Sequence, residues 1–290
     1  MHKMPTTGEI SYAYAKACGI LGKSFVGKRL KLLTNVSRLA DIERLVFTSE
    51  QKNISDKELV VDMEERIEER SLALLQQIIQ SFRQPGDFLS LLCRWTEFKN
   101  KENDYYNLLW PALMHLPKKD RIYTEKILCE EIALHNAVWA MRLRAYYKMN
   151  VDDISGKLIV PNAENREMFR DLDKKWLSAA KMALELPEDD MNAWKIWPYY
   201  KLLNKNAPEE GHEWQPDPRY VQNAVARKLF HEAYSGFRRS PFSLDMVYCF
   251  SKILQFEEDM LTGLCGALGL GMSANEFANE IMEAVPNVPS

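Results

Sequence analysis

The sequence has 290 residues, of which 46% are hydrophobic and 11% aromatic, so it has enough apolar side chain for a substantial core and is not an intrinsically disordered chain. Its 38 basic and 41 acidic residues give a net charge of −3 and are mixed along the chain, which excludes the basic footprint of a nucleic-acid-binding protein. The length corresponds to one or two domains.

Cysteine usage and the N-terminus both indicate a cytosolic protein. The five cysteines are far apart, odd in number and never arranged as C-x-x-C, which predicts reduced thiols. The opening MHKMPTTGEISYAYAK lacks the apolar stretch of a signal peptide, and no uninterrupted apolar run approaches the roughly 18 residues that span a bilayer. Any membrane role is therefore predicted to be peripheral.

Residues 17–24, ACGILGKS, fit a relaxed phosphate-loop pattern, in which backbone N–H groups, Lys23 and Ser24 would hold phosphates and a magnesium ion. A working phosphate loop follows a buried strand, whereas residues 9–17 are rich in Ala and Tyr and predict a helix. No acidic residue at the end of an apolar strand follows. The sequence therefore favours a helix and turn over a nucleotide site, and we predict no cofactor.

A long amphipathic helix is predicted to begin at Ser55, with Glu58 completing a capping box, and to end near Pro85. Its apolar positions recur at helical spacing: Val60, Met63, Ile67, Leu74, Ile78 and Phe82. The acidic stretch DMEERIEER inside this helix is either a partner-binding patch or a solvated face. Asp62 and Arg66 stand at the favourable i, i+4 spacing, which favours the solvated face.

Two further long helices are predicted at about 123–148 and 242–264. The apolar stripe of the first contains Leu128, Ile132, Trp139, Leu143 and Tyr146, and that of the second contains Met246, Phe250, Ile253 and Met260. His135 falls on the first stripe, which predicts a hydrogen-bonded core histidine rather than a metal ligand. Strand signals are scarce, because β-branched runs such as residues 158–160 are isolated. An all-α fold follows.

The segment from about 150 to 219 has a different composition, in which six prolines separate short helical pieces. It contains four tryptophans, Trp176, Trp194, Trp197 and Trp214. Tryptophan anchors interfaces as well as cores, so the segment is either a partner-facing surface or an inserted subdomain. Core packing is the favoured use of these side chains.

No motif in the chain points to catalysis or to a metal. The histidines show no H-E-x-x-H spacing, no cysteine lies where it could complete a zinc set, and G-x-S-x-G is absent. The acidic tracts at 188–190 and 257–259 are predicted to be solvated, because adjacent acids on a helix point in different directions. We therefore predict no catalytic, cofactor-binding or metal residue and a protein that is not itself an enzyme.

Three blocks of the sequence resemble the C/d family of central-stalk proteins from V-type (vacuolar and archaeal-type) ATPases. Residues 12–47, YAYAKACGILGKSFVGKRLKLLTNVSRLADIERLVF, look like the opening of that family. Glu131, Asn136 and Arg142 are similar to the acid, Asn and Arg pattern of its middle repeat. Residues 241–277 resemble its last repeat, in which Ser273 and Glu276 would cap a final helix.

The resemblance has two departures. Where family members commonly place an Asn and an Arg after the acidic cluster, this chain has Met260, Leu261 and Thr262. The segment from about 150 to 219 has no clear counterpart in the family.

The resemblance implies three pseudo-equivalent helical repeats forming a funnel, with boundaries at 1–115, 116–218 (including the Pro- and Trp-rich insertion) and 219–290. It also implies a non-catalytic component of the central stalk at the cytoplasmic face of the membrane, which couples the proteolipid rotor ring to the central shaft. That coupling serves ATP-driven proton or sodium transport, or ATP synthesis. The alternative hypothesis is a helical scaffold that docks partner helices and has no link to the ATPase.

Overall fold

The computed structural model describes residues 5–26, 29–47, 55–207 and 211–274, and within these ranges every regular element is a helix. The prediction of an all-α fold is therefore confirmed. The α-helices, in chain order, are α1 (Thr7–Leu21), α2 (Leu30–Leu33), α3 (Leu39–Phe47), α4 (Asp56–Ile79), α5 (Asp87–Leu92), α6 (Glu102–Met114), α7 (Ile122–Ala145), α8 (Val151–Ser155), α9 (Ala163–Met168), α10 (Leu172–Glu185), α11 (Pro218–Arg239) and α12 (Asp245–Gly269). Short 3-10 turns lie at Trp95–Phe98, Lys118–Asp120, Ala193–Ile196 and Tyr200–Leu202.

The chain divides into two compact units. Residues 1–93 and 233–290 form the discontinuous unit, which takes its parts from both ends of the sequence, and residues 94–232 form the continuous unit. The three repeats at 1–115, 116–218 and 219–290 stay a prediction.

The first helix begins where its sequence provides a cap. The Thr6 hydroxyl accepts from the Glu9 backbone N–H while the Glu9 carboxylate accepts from the Thr6 backbone N–H, so two helix-end donors are satisfied. The helix predicted for residues 9–17 is confirmed, and it continues through Leu21 into a turn at Gly22 and Lys23. Residues 17–24 are therefore the end of a helix and a turn, and the described residues before them contain no strand.

The core of the discontinuous unit lies between α4 and α12. Helix α4 begins with the predicted capping box of Ser55 and Glu58, and its buried residues recur every three or four positions: Leu59, Met63, Ile67, Ser71, Leu75, Ile78 and Ile79. The backbones approach closely at Gly269, where an added Cβ would lie 2.7 Å from the Val60 Cγ2 atom. A side chain at residue 269 is therefore excluded without movement of Val60.

Helix α12 lies a few residues later in the chain than predicted. The predicted start at Phe242 is wrong, because its side chain is 67% exposed and precedes the helix. The apolar residues predicted to share a stripe, Met246, Phe250, Ile253 and Met260, are all buried. Met260 and Leu261, which depart from the family pattern, are core residues, and the cap predicted for Ser273 and Glu276 cannot be compared because Glu276 lies outside the described residues.

The core of the continuous unit joins α7 and α10 to the Pro- and Trp-rich segment. Trp176, Trp194 and Trp197 are buried, and Trp214 packs against the same cluster. Three of the four indole N–H groups donate to nearby carbonyls: Trp194 to Pro187 at 2.7 Å, Trp197 to Ala179 at 2.9 Å and Trp214 to Asn204 at 3.0 Å. The prediction that these tryptophans pack in a core is confirmed.

One part of the predicted α7 stripe is wrong. Leu128 and Ile132 are buried, but Trp139 and Tyr146 are 36% and 56% exposed, and His135 is exposed as well rather than in the core. The five residues do share one face of the helix. Leu143 is also buried, as predicted, so three of the five stripe residues are covered. Trp139 and Tyr146 are not, because the tryptophan cluster packs on other positions of α7: Leu134, Ala137, Val138 and Met141. Helical periodicity predicts which residues share a face, and not how far along the face a neighbour extends.

Candidate functional site

In the discontinuous unit, two buried carboxylates connect helices that are distant in sequence. Glu43 of α3, with 1% of its side chain exposed, lies 2.8 Å from an Nη atom of Arg66 on α4, and the same atom lies 3.1 Å from Asp62. The Arg66 guanidinium also lies 4.1 Å from the centre of the Phe47 ring. This arrangement fixes α3 against α4 through a desolvated charge pair.

The second carboxylate, Glu257 of α12, was predicted to be solvated, and that prediction is wrong. Its side chain is 2% exposed, accepts a 2.8 Å hydrogen bond from the Phe25 backbone N–H and lies 3.6 Å from Arg70 of α4. The predicted ion pair of Asp62 and Arg66 is confirmed, but Arg66 and Arg70 lean towards buried acids instead of into water. The acidic stretch of α4 is solvated only in part, at residues such as Glu65 and Glu69.

In the continuous unit, a neutral side chain has the corresponding role. Asn136 of α7 is fully buried, and its amide donates to the carbonyls of Ile159 and Trp176 at 2.8 and 3.0 Å. Its carbonyl oxygen accepts from the Ile159 backbone N–H at 2.7 Å. One amide therefore satisfies three buried backbone groups and connects α7 to the loop before α9 and to α10.

Glu131 of the middle block and Arg144, two residues beyond Arg142, also have structural partners. The Glu131 carboxylate accepts a 2.7 Å hydrogen bond from the Tyr106 hydroxyl, and burial together with this carboxylate raises the pKa of Tyr106 well above its usual value. Arg144 donates to the carbonyls of Ala183 and Leu186 at 2.9 and 2.8 Å, at the C-terminal end of α10. A cation at this position satisfies carbonyls that have no partner within the helix.

A second asparagine network fixes residues 160–162. Asn107 of α6 accepts from the Asn162 backbone N–H at 2.7 Å and donates to the Val160 carbonyl at 2.8 Å, while Asn165 donates to Asn107 at 2.9 Å. Sequence reasoning missed this network. Its one signal is the recurrence of Asn at 103, 107, 162 and 165 beside helix starts, where Asn commonly hydrogen-bonds backbone groups.

A half-buried charge cluster connects α7 and α11 within the continuous unit. The Lys228 ammonium lies 3.0 Å from Glu130 and also contacts Glu232, and Lys126 lies 3.5 Å from Glu232. Burial and a hydrogen bond to Glu232 raise the pKa of Glu130, with Lys228 opposing them. Burial alone would raise the pKa of Glu232, but hydrogen bonds from Glu130 and Lys228 outweigh it and lower that pKa.

The second half of α7 has an exposed face that carries aromatic and basic side chains. His135, Trp139, Arg142 and Tyr146 follow one another at spacings of four, three and four residues, and all are exposed or partly exposed. This spacing places them on one side of the helix, and we call the four residues the α7 ridge. The ridge ends beside an open cleft of about 660 Å³, in whose wall Tyr146 also lies, together with residues of 212–219.

Among the described residues, no group of three or more His, Cys, Asp or Glu side chains could hold a metal ion. All five cysteines are free thiols. Within the same ranges, the helices are too short or too polar to cross a membrane. What the arrangement can do chemically is to hold helices together through paired charges and amides, and to present an aromatic and basic ridge to a partner.

Comparison with known proteins adds one relative. The chain is 22% identical to an uncharacterized protein of Treponema pallidum (strain Nichols), in an alignment that covers 93% of this chain and 95% of the relative. No protein-family model matches the sequence. No solved structure matches it either.

Proposed function

We propose that this chain is a non-catalytic adaptor in the central stalk of a V-type ATPase or synthase. It would lie at the cytoplasmic face of the membrane, between the proteolipid ring and the rotating shaft. The observation that supports the proposal most concerns the three sequence blocks that resemble the C/d family, because all three contribute in the same way to helix packing. Each block supplies a buried polar side chain that holds helices together: Glu43 in the first, Asn136 in the second and Glu257 in the third.

These buried polar contacts would stiffen an adaptor that transmits torque. An adaptor that passes torque from a shaft to a ring must not lose it by bending, and close-packed protein interiors are poorly compressible. Buried hydrogen bonds and ion pairs are directional, so they resist the sliding of one helix past another more than apolar contacts alone do. The pairs of Arg66 with Glu43 and of Arg70 with Glu257 connect α4 to α3 and α12 in this way.

The proposal includes the finer fold of the family, three helical repeats at 1–115, 116–218 and 219–290 that form a funnel. The all-helical described residues are consistent with it. On this account neither the ion carried nor the direction of the machine is encoded in this chain, because both are properties of the proteolipid ring and of the gradient across the membrane.

A scaffold without an ATPase link is the second candidate. The α7 ridge favours it, because an exposed surface of Trp, Tyr and Arg is typical of a docking site for another protein. Both candidates require partners, so the identity of the partner separates them.

The decisive experiment is a purification of the tagged full-length chain from native membranes. The stalk proposal expects the proteolipid and shaft proteins to co-purify, and it expects ATP-driven ion transport to be lost when the gene is deleted and restored when it is returned. A deletion strain whose membranes still couple ATP hydrolysis to ion transport would contradict it. A different stable partner, with no rotary components present, would favour the scaffold.

A phosphate-loop enzyme can be tested separately with the Lys23→Ala variant. Because residues 17–24 end a helix and lie in a turn, we expect neither wild type nor variant to bind ATP in a nucleotide titration. Binding by the wild type that the variant loses would contradict a purely structural role for this segment.

A further inference from the structure

The α7 ridge has the geometry of one half of a helix pair. Spacings of four, three and four residues from His135 to Tyr146 are those of alternating a and d positions in a coiled-coil seam, where one helix packs along another. In the first half of α7 the same face is covered, since Leu128 and Ile132 are buried. The ridge therefore continues the same seam past the part of this face that the rest of the unit covers.

The residue types on the ridge are those that dominate binding energy at protein interfaces. Trp, Tyr and Arg are enriched among the side chains whose truncation weakens complexes most. Trp139 and Tyr146 are 36% and 56% exposed, although other tryptophans of this unit, Trp110, Trp176, Trp194 and Trp197, are buried. Their exposure on the surface of a well-packed helix leaves apolar area that a partner can remove from water.

Arg142 gives the ridge a positive charge, although the cleft at its end is lined by Glu213 and Asp217 as well as Arg219. Residues 132–151 include Arg142, Arg144 and Lys148 but no Asp or Glu, whereas the acidic residues of α7 lie in its first half. Arg144 already has partners within the unit, since it donates a hydrogen bond to a carbonyl at the end of α10 and pairs with Glu188. On the ridge itself, Arg142 lies between Trp139 and Tyr146, so a complementary partner carries a carboxylate opposite Arg142. Desolvation by the surrounding protein lowers the pKa of His135 in spite of the nearby Glu131 and Glu102, so His135 adds no positive charge to the ridge.

We propose that the α7 ridge docks an amphipathic helix of another protein, one whose apolar residues cover Trp139 and Tyr146 and which places an acidic residue opposite Arg142. The cleft at Tyr146 lies at the end of the ridge and provides room for a helix longer than the ridge itself. This inference does not depend on a role in a rotary ATPase, because it rests on the exposure, spacing and charge of α7 alone.

The test uses the full-length chain and a designed helical peptide as the probe. The peptide has about three heptads with Leu at the a and d positions and Glu at the flanking e and g positions, and a control peptide has Lys in place of every Glu. Fluorescence anisotropy of the labelled peptides measures the affinity. We expect the Glu peptide to bind and the Lys peptide to bind much more weakly, with an attraction that decreases as salt is added.

Three variants locate the binding site. Trp139→Ala and Arg142→Glu are each expected to weaken binding of the Glu peptide by about tenfold or more, since each removes one kind of ridge contact. Arg170→Glu is the matched charge reversal, because Arg170 is 95% exposed and lies outside the ridge. That variant should bind as wild type does. Thermal unfolding of all three checks that the fold is retained.

Several outcomes would overturn the proposal. They are failure of the Glu peptide to bind, equal binding of both peptides, and an affinity that Arg142→Glu leaves unchanged. Analytical ultracentrifugation could give a further contradictory outcome. If the chain forms dimers that Trp139→Ala abolishes, the occupant of the ridge is a second copy of this chain and not an acidic helix of another protein.

Discussion

The two units of this protein hold their helices together with different polar chemistry. In the discontinuous unit, buried carboxylates face arginines, as with Glu43 and Arg66 and with Glu257 and Arg70. In the continuous unit, the buried anchors are neutral amides such as Asn136. A buried charge needs its counterion, whereas an amide satisfies backbone donors and acceptors without any charge. The comparison indicates that the two units fail in different ways when an anchor is removed.

The largest effect is expected for Asn136→Leu. Leucine leaves the N–H and carbonyl of Ile159 buried without the partner they have in Asn136, at about 1–3 kcal/mol for each group. The Trp176 carbonyl also loses its bond to Asn136 but lies inside α10, where the helix itself supplies a donor. We expect a loss of about 4 kcal/mol in the free energy of unfolding, measured by urea denaturation. Asn192→Leu is the control, because Asn192 is exposed, and it should change stability by less than about 0.5 kcal/mol. A loss below about 1 kcal/mol for Asn136→Leu would contradict the assigned role.

Arg66→Met is expected to cost about 3 kcal/mol, because it leaves the Glu43 carboxylate buried without its counterion. The matched control is Arg94→Met, which breaks an exposed pair with Glu97 and should cost less than about 1 kcal/mol. Replacing Glu43 with Gln in the Arg66→Met background should recover part of the loss, as measured by the same denaturation. Equal losses for the two arginine variants would show that burial of the pair does not matter.

The contact between α4 and α12 can be tested with two glycines of the same helix. Gly269→Ala is expected to lower the unfolding free energy by about 1 kcal/mol, because its Cβ would meet Val60 at 2.7 Å. Gly266→Ala meets nothing within 4 Å and should raise stability by up to about 1 kcal/mol through its better helix propensity. With Val60→Ala added, the substitution at 269 should no longer be harmful. If it is harmful with or without Val60→Ala, the close approach is not its cause.

The smallest effect concerns Glu130, the charged exception in the continuous unit. Its pKa is raised by burial and by the neighbouring Glu232, so the folded state binds its proton more tightly than the unfolded state does. The stabilisation that Glu130 contributes is complete below the pKa that it has in the unfolded chain. It is lost as the pH rises through the pKa that it has in the folded protein. Glu130→Gln cannot undergo this loss, so it should match wild type near pH 4 and exceed it near pH 8, by less than about 1 kcal/mol.

Glu232→Gln should show the opposite pH dependence. The pKa of Glu232 is lowered in the folded state, so its contribution is present above the unfolded pKa and is lost as pH falls through the folded pKa. The variant should therefore be less stable than wild type near pH 8 and similar to it at strongly acidic pH. Denaturation curves recorded across this range check both variants, and the same sign for both would contradict the assigned sharing of a proton between the two carboxylates.

Local signals predicted much of this fold correctly. The capping box of Ser55 and Glu58 placed the start of α4, and periodicity placed α7 to within three residues at its C-terminal end. The tryptophans at 176, 194 and 197 were predicted to pack in a core and do so. The helix ends are determined by residues that are close together in the sequence, whereas the burial of the tryptophans follows from their size and apolar surface.

Some errors concern helix ends: α4 ends at Ile79 and not near Pro85, and α12 begins at Asp245 and not at Phe242. The other errors concern neighbours that are distant in the sequence. Glu257 looks like one acid in an exposed tract, and its burial depends on the Phe25 backbone N–H, 232 residues away. The partners of Asn136 lie 23 and 40 residues beyond it. Three residues of the α7 ridge, His135, Trp139 and Tyr146, were predicted to lie on a covered stripe, because the sequence gives the phase of a stripe but not the length of its cover. The candidate docking surface could therefore be found only once the packing was known.

The division of the discontinuous unit between the two ends of the chain has a consequence for protein synthesis. Residues 94–232 leave the ribosome as a complete unit, whereas α4 has to wait for α12 before its apolar face is covered. Throughout that interval the nascent chain displays an uncovered amphipathic helix, which is the kind of surface that chaperones bind and that aggregates. Truncation within the last 60 or so residues should consequently affect residues 1–93 most, even though these are made first.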